Sequence, residues 1–254
     1  MKTLGFRTRM AGAAAVYTGL AALVAACGSA SPGHGPAAAS TAATAATAAT
    51  PASNGITAKP ARQIVTTAFT ALKSAVSVRM YGSFSDSGQR YKVDLTMGPA
   101  GMRGSMTAPF EGAKLASVDL VLTRGKMYAR SSTLWRQVAG AGVASLLDNR
   151  WVILPAGSVK GFPFASTNTF IKQLNLSGMK SLRKARAGVK TTVNGQPAVK
   201  VASGGETAYI ATTGHPYPLE LIQGSHNALY FQYSAVPASI VAPPHPIDLS
   251  TVRG

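Results

Sequence analysis

From Val78 onward the chain alternates apolar and polar residues with a period of two, interrupted only by short turn-forming runs. Val78, Met80, Gly82 and Phe84 alternate with Arg79, Tyr81 and Ser83. After the turn chemistry of Ser85 to Gln89, Tyr91, Val93, Leu95 and Met97 alternate with Lys92, Asp94 and Thr96. Successive strand side chains point to opposite faces, so each stretch presents one apolar and one wet face. Gly98-Pro99-Ala100-Gly101 makes the next turn, and Met102, Gly104 and Met106 continue the pattern. Val118, Leu120 and Leu122 carry it from Ser117 to Thr123, and Arg124-Gly125 turns the chain into Lys126 to Ser131. Strands joined by turns this short pair antiparallel, which predicts a meander rather than a βαβ fold.

The elements around this meander define an α+β layout. Ile64, Val65, Ala68, Phe69, Leu72 and Val76 recur at spacings of three and four, predicting an amphipathic helix from about Pro60 to Ala75. Trp135 is expected to close the meander. A short helix is expected from Gly142 to Leu147, while Trp151 to Leu154 is apolar and fits helix or strand. Ser166 or Thr167 can cap a second helix whose stripe is Phe170, Ile171 and Leu174, ending before Gly178. Strand chemistry then returns. Val189, Thr191 and Val193 lead to Asn194-Gly195, a strong hairpin signal, and Val199 and Val201 lie on the return strand. Strands from Ala208 to Thr212, Leu219 to Gln223 and Leu229 to Tyr233 complete a second meander. Pro237, Pro243, Pro244 and Pro246 exclude a C-terminal helix.

The N-terminal region has a different composition. Lys2, Arg7 and Arg9 precede an apolar segment from about Ala11 to Ala25, too short to span a bilayer comfortably. This is the order of an export signal. Its last residues, Val24-Ala25-Ala26-Cys27, resemble the bacterial lipobox, which implies cleavage before Cys27 and diacylation of its thiol. Cys27 is the only cysteine, so an internal disulfide is excluded. Residues 1–26 read as signal peptide, and 27–58 as lipidated cysteine and disordered Ala/Thr/Pro-rich tether. Gly28 to Ala58 holds no Lys, Arg, Asp or Glu, and a flexible coil of that length reaches roughly 30 Å. Residues 59–254 are then one domain on the extracytoplasmic face of the cell membrane. The three basic groups of the signal leave +14 of the formal +17 on the mature chain. For an exported, lipidated chain that excess points to anionic headgroups. The densest basic cluster, Lys180, Arg183, Lys184, Arg186 and Lys190, contains no aromatic to stack bases, so no nucleic-acid partner is expected. It fits a solvated face as well as an anion site.

The lipobox, the opening helix, the hairpin around Tyr91, the Arg124-Gly125-Lys126-Met127-Tyr128 turn before Trp135, the Asn194-Gly195 hairpin and the His215-Pro216-Tyr217-Pro218-Leu219 strand entry together resemble the LolA-like lipoproteins. That superfamily includes LolA, LolB and the lipid-carrying LppX/LprG-like lipoproteins. The resemblance covers the whole domain. It implies a half-open antiparallel β-barrel, a strongly curved sheet with an N-terminal helix and a helical lid insertion, holding the acyl chains of a lipid, glycolipid or lipoprotein. The lid falls on Pro155 to Gly178, and the basic cluster becomes a candidate for an anionic headgroup.

The residues themselves offer a candidate cavity wall. Five of the six methionines beyond the signal, Met80, Met97, Met102, Met106 and Met127, lie in the first meander on or near its apolar face. Methionine is flexible and polarisable and suits chains of varied shape. Phe69, Phe84, Val93, Leu95, Leu120 and Leu122 accompany them. The same stripes fit an ordinary filled core, in which case the chain is a surface interaction or signalling module with an envelope protein partner. Catalysis and cofactors are not expected. His34, His215, His226 and His245 lack metal-ligand spacing, and no Gly-x-Ser-x-Gly elbow or phosphate-binding glycine loop occurs.

Overall fold

The computed structural model describes residues 52–86, 88–109, 115–138, 140–155, 169, 170, 182, 185 and 188–249. Alternation in the sequence becomes one large sheet. Its first half is β1 (Ser77–Asp86), β2 (Gln89–Gly98), β3 (Gly101–Pro109), β4 (Leu115–Thr123) and β5 (Lys126–Arg130), followed by the two-residue β6 (Val152–Ile153). The second half is β7 (Val189–Val193), β8 (Gln196–Ser203), β9 (Glu206–Ala211), β10 (Pro218–Gln223) and β11 (Asn227–Ser234), with β12 (Ile247–Asp248) at the end of the chain. The strand order is β12-β6-β5-β4-β3-β2-β1-β11-β10-β9-β8-β7. Two meanders are therefore fused where the first strand of one, β1, pairs with the last strand of the other, β11. Every pairing is antiparallel except β12 with β6.

Turn chemistry sets the register. Arg124 (φ 50°) and Gly125 (φ 73°), and Asn194 (φ 49°) and Gly195 (φ 77°), hold the positive φ angles of two-residue hairpin turns whose twist matches that of their strands. At the start of β10 a register shift leaves Leu219 between paired Pro218 and Glu220. Leu219 is thereby buried on the outer side with Ala198 and Ala211.

Besides the 3₁₀ turn Ile56–Ala58, three α-helices lie wholly within the described residues: α1 (Ala61–Lys73), α2 (Ser132–Val138) and α3 (Gly140–Leu147). Pro60 precedes α1, where its fixed φ and missing N–H are tolerated, and the helix buries Ile64, Val65, Ala68, Phe69 and Leu72 as its stripe requires. These side chains share one apolar cluster with Leu134 and Trp135 of α2, Ala144 and Leu147 of α3, and the inner strand residues. All three helices thus cover the same face of the sheet.

Two local features differ from the sequence reading. Trp135 lies within α2 rather than closing the meander. The Ser131 side chain starts that helix early by accepting the Leu134 N–H at 3.0 Å. Residues 53–58, read as the end of the tether, pack on the domain: Ser53 bridges Thr213, Asn54 donates to the Ala211 carbonyl at 3.0 Å, and Ile56 is buried. Val189, on the expected strand leading to Asn194-Gly195, is exposed on β7, an edge strand of the sheet. Of the expected second helix, only the helical residues 169 and 170 lie among the described residues, with Phe170 buried in the main cluster.

Candidate functional site

The inner face is built from cross-strand rows. One runs Phe231, Met80, Leu95, Gly104, Leu120, Ala129, Val152 across seven consecutive strands. A second runs Val78, Met97, Met102, Leu122, Met127. A third runs Leu229, Gly82, Val93, Met106, Val118. Opposed side chains in such rows touch, so the face is contiguous. Of the candidate wall residues, Phe69, Met80, Val93, Leu95, Met97, Met102, Met106, Leu120, Leu122 and Met127 are buried in this one cluster. Phe84, the eleventh, packs against it half-buried, stacked on Tyr91 with ring centroids 4.9 Å apart.

Gly82 and Gly104 leave two gaps in these rows. Their φ angles are +128° and +147°, and a Cβ there would collide with the carbonyl oxygens of Ala228 and Asp94. Glycine inside a strand is required where a neighbouring backbone approaches this closely. Both positions sit in the middle of the methionine-rich face.

Sequence reasoning did not single out Trp135 as part of this face, since its place in α2 depends on the Ser131 cap. Its side chain is 6 % exposed. The indole Nε1, sealed from solvent, has no hydrogen-bond acceptor among the described residues.

The outer face is polar. Lys200, Tyr209, Glu220, Tyr230, Tyr81, Asp94, Ser105, Asp119 and Arg130 are successive cross-strand partners from β8 to β5. Arg79 donates two hydrogen bonds to Asp94, at 2.8 and 2.7 Å, which holds the Asp94 carboxyl below its ordinary value. Burial pushes the Glu220 carboxyl up, and a hydrogen bond with Tyr230 opposes that shift. Arg130 pairs with Asp119 at 2.8 Å and lies over the Trp151 ring at 4.8 Å. Between the two ion pairs lies an open depression of ≈ 460 Å³ lined by Arg103, Ser105 and Trp151 among others. Its charges largely cancel. Among the described residues no three His, Cys, Asp or Glu side chains come together, and His215, His226 and His245 are separate and exposed.

Cys27 and the expected tether up to residue 51 lie outside the described residues, as do Lys180, Arg183, Lys184 and Arg186. Lys190 is exposed on β7. The lid segment Pro155 to Gly178 is described only at 155, 169 and 170. No helix of the described residues is long and apolar enough to cross a membrane.

No family model and no curated protein matches the chain. Among solved structures it is similar to LprF from Mycobacterium bovis, at 15% identity and TM-score 0.43, over 72% of this chain and 96% of that one. It is similar to the lipoprotein LppX from Mycobacterium tuberculosis at 12% identity and TM-score 0.40, over 71% and 98% of the two chains. An uncharacterized conserved protein from Thermus thermophilus follows at 12% identity and TM-score 0.34, over 74% and 97%. These likenesses are distant, and no ligand, activity or partner is carried over from them.

Proposed function

We propose that this chain is a non-enzymatic extracytoplasmic lipoprotein, held to the cell membrane through acylated Cys27 and a tether. Its domain, a half-open, LolA-like curved sheet, takes up the acyl chains of a lipid, glycolipid or lipoprotein and carries or presents them in the cell envelope. The observation that carries the reading is the methionine-rich inner face: Met97, Met102 and Met127 in one cross-strand row, Met80 in the row beside it and Met106 in the row beyond that. Unbranched thioether side chains repack around a guest more readily than branched ones. The gaps at Gly82 and Gly104 support a sheet bent around that face. Burial of each methylene would contribute about 0.8 kcal/mol, so chain identity is discriminated loosely. The segment 155–178 serves as the lid, and Lys180 to Lys190 meet an anionic headgroup.

The test is native mass spectrometry of residues 28–254 secreted from a lipid-rich bacterial host, followed by organic extraction. A stoichiometric lipid is expected. Leu120 is 3 % exposed in the packed core, so a charge there would unfold the domain; Met97→Leu with Met102→Leu is the better probe. Stiffening the row in this way should narrow the range of chain lengths recovered. A chain that stays lipid-free, both from the host and after mixing with vesicles, would instead favour the interaction module. One observation supports that second reading: α2 and α3 expose Val138, Val143 and Leu146 at 38%, 48% and 67%.

A further inference from the structure

One polar group in the inner cluster has no place in an apolar core. Indole nitrogen is a donor with no acceptor function, and a buried donor without an acceptor is destabilising enough that native structures rarely leave one. Trp135 Nε1 is such a donor among the described residues. A phenylalanine would fill nearly the same apolar space with no orphaned N–H. The position is also held firmly. Ser131 Oγ accepts the Leu134 N–H at 3.0 Å and donates to the Ser117 carbonyl at 2.6 Å, pinning the first turn of α2 to β4 one residue before the tryptophan. The other tryptophan, Trp151, lies on the outer side under Arg130 and takes no part in this cluster.

We propose that Trp135 is a specificity-determining residue whose buried indole N–H donates to a carbonyl oxygen of the cargo, so that the domain selects acyl esters or amides over hydrocarbon and ether-linked chains of equal length. This rests on the lipid-carrying reading above and narrows it to a ligand class. Apolar walls alone discriminate weakly between an ester and an ether. A buried donor discriminates more sharply, because the ether-linked ligand leaves it without a strong acceptor.

The experiment compares two probes of matched chain length, a diacyl phosphatidylglycerol and its dialkyl ether counterpart, binding to residues 28–254. The chain is expected to hold the diester about tenfold more tightly. Trp135→Phe should lower diester affinity to the level of the diether and leave the diether unchanged. A second readout does not depend on how that variant folds: in Trp151→Phe, Trp135 is the only tryptophan, and its ¹⁵N–¹H indole resonance reports the hydrogen bond directly. Diester should move that proton downfield, and diether should not. An unchanged diester-to-diether ratio in Trp135→Phe, or an indole resonance that responds alike to both probes, overturns the inference while leaving the lipid reading standing. If neither probe binds, the lipid reading itself fails and this inference with it.

Discussion

At the residue scale, the inner face sets its fully buried side chains and its absences of side chains in the same cross-strand rows. Gly104 lies between Leu95 and Leu120 with a φ that L residues rarely adopt, and a methyl group there would meet the Asp94 carbonyl. Gly104→Ala is therefore expected to destabilise the domain by about 3 kcal/mol or more, read as a lower midpoint in urea denaturation. A midpoint within experimental error of the parent's would show that the backbones do not approach this closely there. On the outer face, Glu220 makes a pH prediction. Its carboxyl titrates above the ordinary 4.5, so the folded chain holds that proton more tightly than the unfolded chain does. Stability contributed by the protonated form is present at low pH and lost as pH rises through the folded value. Glu220→Gln should match the parent near pH 4 and be at least as stable near pH 7. Asp94 has the opposite sign. The Arg79 hydrogen bonds depress its value, so its contribution is present above about pH 4 and lost on acidification. With both side chains nearly half exposed, that ion pair contributes little.

At the element scale, short caps and turns decide where helices and strands begin. Ser131 is buried, caps α2 and ties it to β4. Ser131→Ala should reduce stability by about 1–2 kcal/mol, and it should also raise amide exchange in α2 while β1 and β2 stay protected. Uniform loss of protection would mean that α2 has no local stability of its own. This helix marks the limit of what the sequence discloses. Alternation and the turns Arg124-Gly125 and Asn194-Gly195 made most strands, their order within each meander and the inner face legible, because period two and hairpin geometry are local properties. Pairing of β1 with β11 was not legible, since it joins residues far apart in the chain. Nor was the polar row from Lys200 to Arg130, which exists only once that pairing fixes the register. The orphaned indole of Trp135 needed both a local cap and the cluster around it, so neither spacing nor composition pointed to it. Ile56 escaped for a simpler reason: a single apolar residue in a charge-free spacer carries no periodic signal.

At the scale of the whole molecule, charge and anchoring act through different physics and can be separated. Cleaved before Cys27 as proposed, the chain would carry a formal +14 and be attracted to anionic headgroups over a distance set by salt, about 30 Å at 0.01 M and about 8 Å at 0.15 M. Two acyl chains hold by methylene burial, which salt hardly weakens. Under the proposal, the acylated protein stays on vesicles containing phosphatidylglycerol at both salt concentrations. The same chain without acyl groups, residues 28–254, should cosediment at the lower salt and be released at the higher. Release of both forms alike would remove Cys27 as the anchor, and retention of the unacylated form at high salt would point to an apolar membrane contact such as the exposed side of α3. The expected pattern would instead leave the domain free to move over the membrane at the end of its tether, attracted by charge but not fixed by it, as a carrier that must load and unload requires.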